Sequence, residues 1–161
     1  MPDPVERIYW DACVFLAYVN AEEGRIEDVD AILLQASRGR IELITSTVSI
    51  AEVAFGAAEQ RGQPLDKAIE DKINRLWMPP SPVRLVEFHA LIAAEAVRLM
   101  RDLRPSGLSL KPMDAIHLAT ARRYEVARFE TYDDLAKFSA AAGLPILPPA
   151  PHQPELLDER T

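Results

Sequence analysis

Two rhythms of apolar and polar residues alternate along the chain. Short apolar runs bounded by turn residues, at 5–10, 41–45, 83–88 and 126–131, read as strands. Between them lie longer stretches with apolar residues every three or four positions, which read as helices. Residues 12–19 are apolar nearly throughout. Residues 26–37 repeat Ile26, Val29, Ile32, Leu33 and Ala36 and stop at Gly39. Residues 64–77 repeat Leu65, Ala68, Ile69, Ile73 and Leu76, and the cluster of Pro79, Pro80, Ser81 and Pro82 ends them. Residues 90–103 turn round Leu91, Ala94, Val97 and Met100 before a loop at 104–107. Pro112 suits the first position of a further helix that carries Asp114, Ala115, Ile116 and Ala119. A short helix over 133–142 is stopped by Gly143, and 145–147 is a last extended piece. This alternation predicts an α/β fold: a parallel sheet of four to five strands sandwiched between helices. In such sheets the ligand crevice opens beyond the carboxyl ends of the strands, where the strand order reverses.

Composition narrows the picture. At 161 residues and 48% hydrophobic, the chain supports one domain with a real core, taken as 1–147. Five of the 13 prolines fall between 145 and 154, so 148–161 reads as a Pro-rich irregular C-terminal tail. No apolar run approaches the roughly 20 residues of a membrane span. The first residues carry acids and prolines where a secretory signal carries a basic end and an apolar run, so a cytoplasmic location is expected. The single Cys13 excludes an internal disulfide and any multi-cysteine zinc site. A net charge of −7 argues against gripping nucleic acid by bulk electrostatics. Residues 98–128 nevertheless hold seven basic against three acidic side chains, a local net of +4.

Four acids stand at element junctions: Asp11 after the first strand, Glu52 in the helix after the second, Asp114 at a helix start and Asp133 after the fourth strand. Each has a plain explanation as well. A carboxylate in a first helical turn gains up to about 1 kcal/mol from the helix dipole. Ser49 and Glu52 match the spacing of a capping box, with Ser46 as an alternative cap. If the parallel sheet brings the acids into one crevice, their repulsion demands protonation or a cation. Hard oxygen donors of this kind favour Mg²⁺ or Mn²⁺ over zinc and suit phosphodiester hydrolysis.

The local sequences around these acids, Tyr9-Trp10-Asp11-Ala12-Cys13, Ser46-Thr47-Val48-Ser49-Ile50-Ala51-Glu52, Lys111-Pro112-Met113-Asp114-Ala115-Ile116-His117-Leu118-Ala119 and Thr131-Tyr132-Asp133, resemble the PIN-domain family in content and order. A single compact domain of this length is most similar to the VapC-type toxins of toxin–antitoxin pairs. The resemblance implies a Mg²⁺- or Mn²⁺-dependent endoribonuclease. Asp11, Asp114 and Asp133 match the metal ligands, and Glu52 the acid that completes the site or orders water. Thr131 matches a hydroxyl position beside the fourth acid, for which Asp134 is the rival to Asp133. Cys13 departs from the Asn, Ser or Thr of many members, and a thiol is a poorer donor to Asp11. The resemblance further implies an RNA substrate, an antitoxin partner and a homodimer, while Arg101, Arg104, Lys111 and Arg122 are available for backbone phosphates. His117 reads more readily as a packed or surface histidine than as part of the site.

The alternatives are an inactive PIN-like binding module and a receiver-type signalling domain. The latter would want an acidic pair before the first helix and a late lysine. A haloacid-dehalogenase-type phosphatase would want an aspartate where Cys13 stands.

Overall fold

The computed structural model describes residues 4–153. In chain order it runs β1 (Glu6–Trp10), α1 (Ala12–Val19), α2 (Ile26–Ser37), β2 (Ile41–Ser46), α3 (Val48–Glu52), α4 (Ala57–Gln60), α5 (Lys67–Trp77), β3 (Val83–Val86), α6 (Ala90–Leu103), α7 (Pro112–Arg123), β4 (Arg128–Glu130), α8 (Ser139–Ala142) and β5 (Ile146–Leu147). All five strands pair in parallel, in the order β3-β2-β1-β4-β5. The first three strands step one way from β1 and the last two step the other way. The order therefore reverses between β1 and β4, which makes that gap the crevice of the sheet. It also differs from the 2-1-3-4-5 order of receiver-like folds, which removes that alternative.

Because successive strand residues face opposite sides, the two faces of β1 feed two cores. Ile8 and Trp10 pack with Phe15, Val29, Ile32, Leu43 and Ile73 under α1, α2 and α5. Tyr9 packs with Ile44, Ile92, Leu99, Leu118 and Phe129 under α6 and α7. A strand buried on both sides reads as a continuous apolar run, which is why β1 and β2 stand out in the sequence.

Several boundaries shift for local reasons. Helix α5 begins at Lys67 rather than at 64, because the Asp66 side chain caps it by accepting from Ala68 N–H. The helix expected over 133–142 is broken: Asp133 and Asp134 lie in a bend, a 3₁₀ turn covers Ala136–Phe138, and only α8 is α-helical. The Ser49–Glu52 capping box does not form. Ser49 lies inside α3, Thr47 is its N-cap, and the Ser46 hydroxyl accepts from Val48 N–H instead. Gly39 ends α2 as expected, at φ +70°.

The start of the expected irregular tail is anchored. Gln35 and His152 exchange two hydrogen bonds, and Ala150 donates to Glu130 Oε2 and accepts from Arg128. Residues 154–161 of that tail lie outside the described residues. Glu130, fully buried, also accepts from Trp10 Nε1 and Arg128 Nε, so its charge is paired although burial pushes its carboxyl above the usual range.

Candidate active site

The crevice between β1 and β4 is built from the residues just past the end of each strand. Asp11 is the N-cap of α1, yet its carboxylate caps no backbone group of that helix. It is held sideways instead. Cys13 Sγ donates to Oδ1 at 2.7 Å, and Thr131 Oγ1 donates to Oδ2 at 2.7 Å. Thr131 in turn accepts from Asp133 N–H at 3.0 Å, which fixes the turn that carries Asp133. Tyr132 N–H donates to Cys13 Sγ, so the thiol ties the end of β4 to the start of α1. Cys13 thus keeps a hydrogen bond to Asp11 where many members carry Asn, Ser or Thr, and the burial that raises the thiol's pKa keeps its proton on sulfur.

Asp11, Cys13 and Asp133 offer ligand atoms that lie within 4.8 Å of one another. Asp114, in the first turn of α7 and half-buried, joins Asp133 in lining a cleft of ≈ 410 Å³ together with Lys111, Asp134 and Leu135. Asp134 points outward and pairs with Lys137, so the turn presents Asp133 rather than its rival to Asp11. Glu52, at the end of α3, is bound through Oε1 to His117 Nε2 at 2.6 Å. His117 is therefore buried, as one of the two readings had it, and also touches one of the four acids; nothing local in the sequence marks that contact, which spans 65 positions.

The four cationic candidates do not share one surface. Lys111 lines the acidic cleft; Arg101 and Arg104 line a second depression with Met100 and Pro105; Arg122 lines a third between α6 and α7 with Arg98 and Arg123. Their separation follows from their places along the two helices: Lys111 is the N-cap of α7 and Arg122 lies in its last turn, while Arg101 lies in the last turn of α6 and Arg104 just follows it.

Burial pushes the Asp11 carboxyl up to about 6, against the hydrogen bonds of Cys13 and Thr131, and Asp133 adds to the rise. Asp114 is raised by burial first and by Asp133 second. Two carboxyls held above their ordinary range in a hydrogen-bonded cleft are poor anions by themselves and good ligands for a hard divalent cation. Their pKa values give the sign of the pH dependence. A divalent cation held there would have to displace the proton, so its binding would weaken as pH falls through about 6. Mn²⁺ is expected to raise the melting temperature clearly at about pH 8 and hardly at about pH 5, as read by calorimetry.

Fold and cleft together define an α/β protein with an acidic site at the switch point of a fully parallel sheet. More particularly, the chain belongs to the PIN-domain family, whose model matches residues 8–144. No curated protein matches the sequence. Among solved structures, VapBC2 from Rickettsia felis bound to a promoter DNA fragment is similar with a TM-score of 0.65 at 14% identity, covering 87% of this chain and 96% of that one. FitAcB from Neisseria gonorrhoeae gives 0.61 at 17% identity, covering 88% and 97%. VapC20 from Mycobacterium tuberculosis, a toxin that cleaves the sarcin–ricin loop, gives 0.60 at 18% identity, covering 83% and 94%. At these identities the likeness is one of fold.

Proposed function

We propose that the protein is a Mg²⁺- or Mn²⁺-dependent endoribonuclease that acts as the toxin of a type II toxin–antitoxin pair. The observation that carries this reading is the place of Asp133, within ligand reach of Asp11 and beside Asp114 along one cleft, with the pKa of both Asp11 and Asp114 raised in part by it. Membership of the PIN-domain family and the fold of an RNA-cleaving toxin such as VapC20 support it.

In this reading Asp11, Asp114 and Asp133 hold the cation. When bound, it supplies positive charge for the phosphoryl oxygens and lowers the pKa of nearby water. Cys13 and Thr131 fix the orientation of Asp11, and Thr131 fixes the turn of Asp133. Glu52 orients the attacking water or takes up its proton. Lys111, at the rim of the cleft, holds a backbone phosphate against the local negative charge; Arg101, Arg104 and Arg122 serve strands that extend beyond it. Attack by water at phosphorus, with expulsion of the ribose 3′-oxygen, leaves a 5′-phosphate and a 3′-hydroxyl and no covalent enzyme intermediate.

An antitoxin segment and a second copy of the chain are the partners this role requires. Exposed apolar side chains such as Ile50, Phe55, Phe88 and Leu91 are available to them. Among the described residues no helix is long and apolar enough to cross a membrane. The assay is cleavage of end-labelled RNA by the purified chain. Mn²⁺-dependent cutting to 5′-phosphate ends, absent in Asp114→Asn, is expected. Products with a 2′,3′-cyclic phosphate, or cutting undiminished by chelator, would contradict the mechanism.

A further inference from the structure

Behind Glu52 runs a buried polar chain whose other members, Ser46, Tyr9 and His117, have no part in the hydrolytic scheme. Ser46 N–H donates to Tyr9 Oη at 3.2 Å. Tyr9 Oη lies 2.6 Å from His117 Nδ1, and His117 Nε2 lies 2.6 Å from Glu52 Oε1. Tyr9 is fully buried and His117 nearly so, while Glu52 is part-exposed at the end of a five-residue helix. A tyrosine hydroxyl keeps its proton at neutral pH. Given to His117 Nδ1, that proton fixes the tautomer in which Nε2 can donate to Glu52. Nδ1 as acceptor leaves the neutral ring with its proton on Nε2, which then donates to Glu52. In that tautomer the chain runs from backbone to carboxylate, and Oε2 of Glu52 accepts no hydrogen bond among the described residues.

We propose that His117 is a positioning residue: backed by Tyr9, it holds Glu52 by Oε1 and leaves Oε2 as the oxygen that serves the cleft. The inference rests on the nuclease reading for the role of Glu52. Its physical basis is that α3 is too short to orient a flexible glutamate by itself. Helix α7 supplies the restraint. It carries Asp114 in its first turn and His117 one turn later, so a single rigid element sets both acids relative to each other. Packing alone does not account for the arrangement, since an apolar side chain fills such a volume without needing two polar partners on opposite ring nitrogens.

The test uses the full chain with Mn²⁺ and an RNA substrate. His117→Leu, which fills the space without a donor, is expected to lower kcat about 10–100-fold with KM within about twofold. His117→Gln places an amide donor near the Nε2 position and is expected to stay within about threefold of the parent. Tyr9→Phe, which leaves His117 in place but removes the hydroxyl behind it, is expected to fall between them. If rates simply follow melting temperature, with Gln no better than Leu, the inference is overturned. Nitrogen-15 NMR of the imidazole ring separates this from failure of the nuclease reading, and also covers the case in which His117→Leu does not fold. The parent is expected to show an Nε2–H tautomer whose proton signal moves upfield in Glu52→Gln. An Nδ1–H tautomer, or an Nε2–H signal indifferent to Glu52→Gln, overturns the inference whether or not RNA is cut. Absence of RNA cleavage by the parent, with the NMR result as expected, overturns the nuclease reading and leaves the restraint on Glu52 standing.

Discussion

Asp11→Asn is expected to abolish RNA cleavage and, in the same preparation, to raise the melting temperature of the metal-free protein. On the proposed nuclease reading the first effect follows from removing one of the carboxylates that would hold the cation, a loss of roughly 100-fold or more in kcat/KM. The second follows from linkage. Burial lifts the Asp11 pKa from 3.8 in the unfolded chain to about 6 in the folded protein. The folded state therefore holds a proton that the unfolded chain has released, and stability falls as pH rises from about 4 through about 6. Above that window the ionised carboxylate costs on the order of 3 kcal/mol, which an asparagine of the same shape does not incur. For a chain of this size the gain is roughly 6–12 °C at about pH 7.5, vanishing at about pH 4. Calorimetry at the two pH values, with and without Mn²⁺, checks it. A variant that is inactive because it is less stable would place Asp11 in a structural role.

The second large effect concerns the core under the site. Phe129 is fully buried on β4 and stacks on Tyr9 with ring centroids 5.1 Å apart. Phe129→Ala removes that stack and leaves a cavity between the central strands and α7, at a cost of about 3–5 kcal/mol. The expected fall in melting temperature is roughly 10 °C or more, with a matching drop in the urea midpoint. Leu65→Ala, at a side chain 77% exposed, is expected to change stability by no more than about 0.5 kcal/mol. Similar losses at the two positions would mean that the β4 face of the sheet is not a packed core.

Much of this architecture is legible because burial on both faces writes itself into the chain. The apolar runs of β1 and β2 and the periodic stretch of α2 each declare their environment through residues close together in sequence. In α6 the helix is where the period puts it, but Ile92, Ala96, Leu99 and Leu103 are buried while Leu91 and Val97 of the expected face are exposed. Helix α7 is legible from Pro112 even though its apolar pattern is nearly uniform, since it is buried on several sides. The order of the strands is not written locally. That β4 returns to lie beside β1 depends on pairing between Tyr9 and Phe129 across 120 positions, and no periodicity encodes it. The break of the helix over 133–142 has the same origin: Asp133 N–H is taken by Thr131, so the turn serves the cleft before any helix begins.

The site divides in the same way. Asp11 and Asp133 can be placed because they follow strand ends, where a parallel sheet puts its crevice. Glu52 reads as a capping residue because Ser49 stands three residues before it, and spacing cannot tell a backbone cap from a bond to a histidine 65 positions away. Cys13 reads as a weak donor from its chemistry alone; only the fold brings Asp11, Thr131 and Tyr132 around it. The cations group by their nearness in sequence, and the helices they sit on disperse them.

The claim on which the rest depends is that the cleft between β1 and β4 holds a divalent cation. Anomalous diffraction at the manganese edge, from crystals of the full chain grown with Mn²⁺ near neutral pH, addresses it without recourse to activity. A peak bounded by Asp11, Asp114 and Asp133 is the expected result. No peak there at full Mn²⁺ occupancy elsewhere, or a peak unchanged in Asp11→Asn crystals, would contradict it.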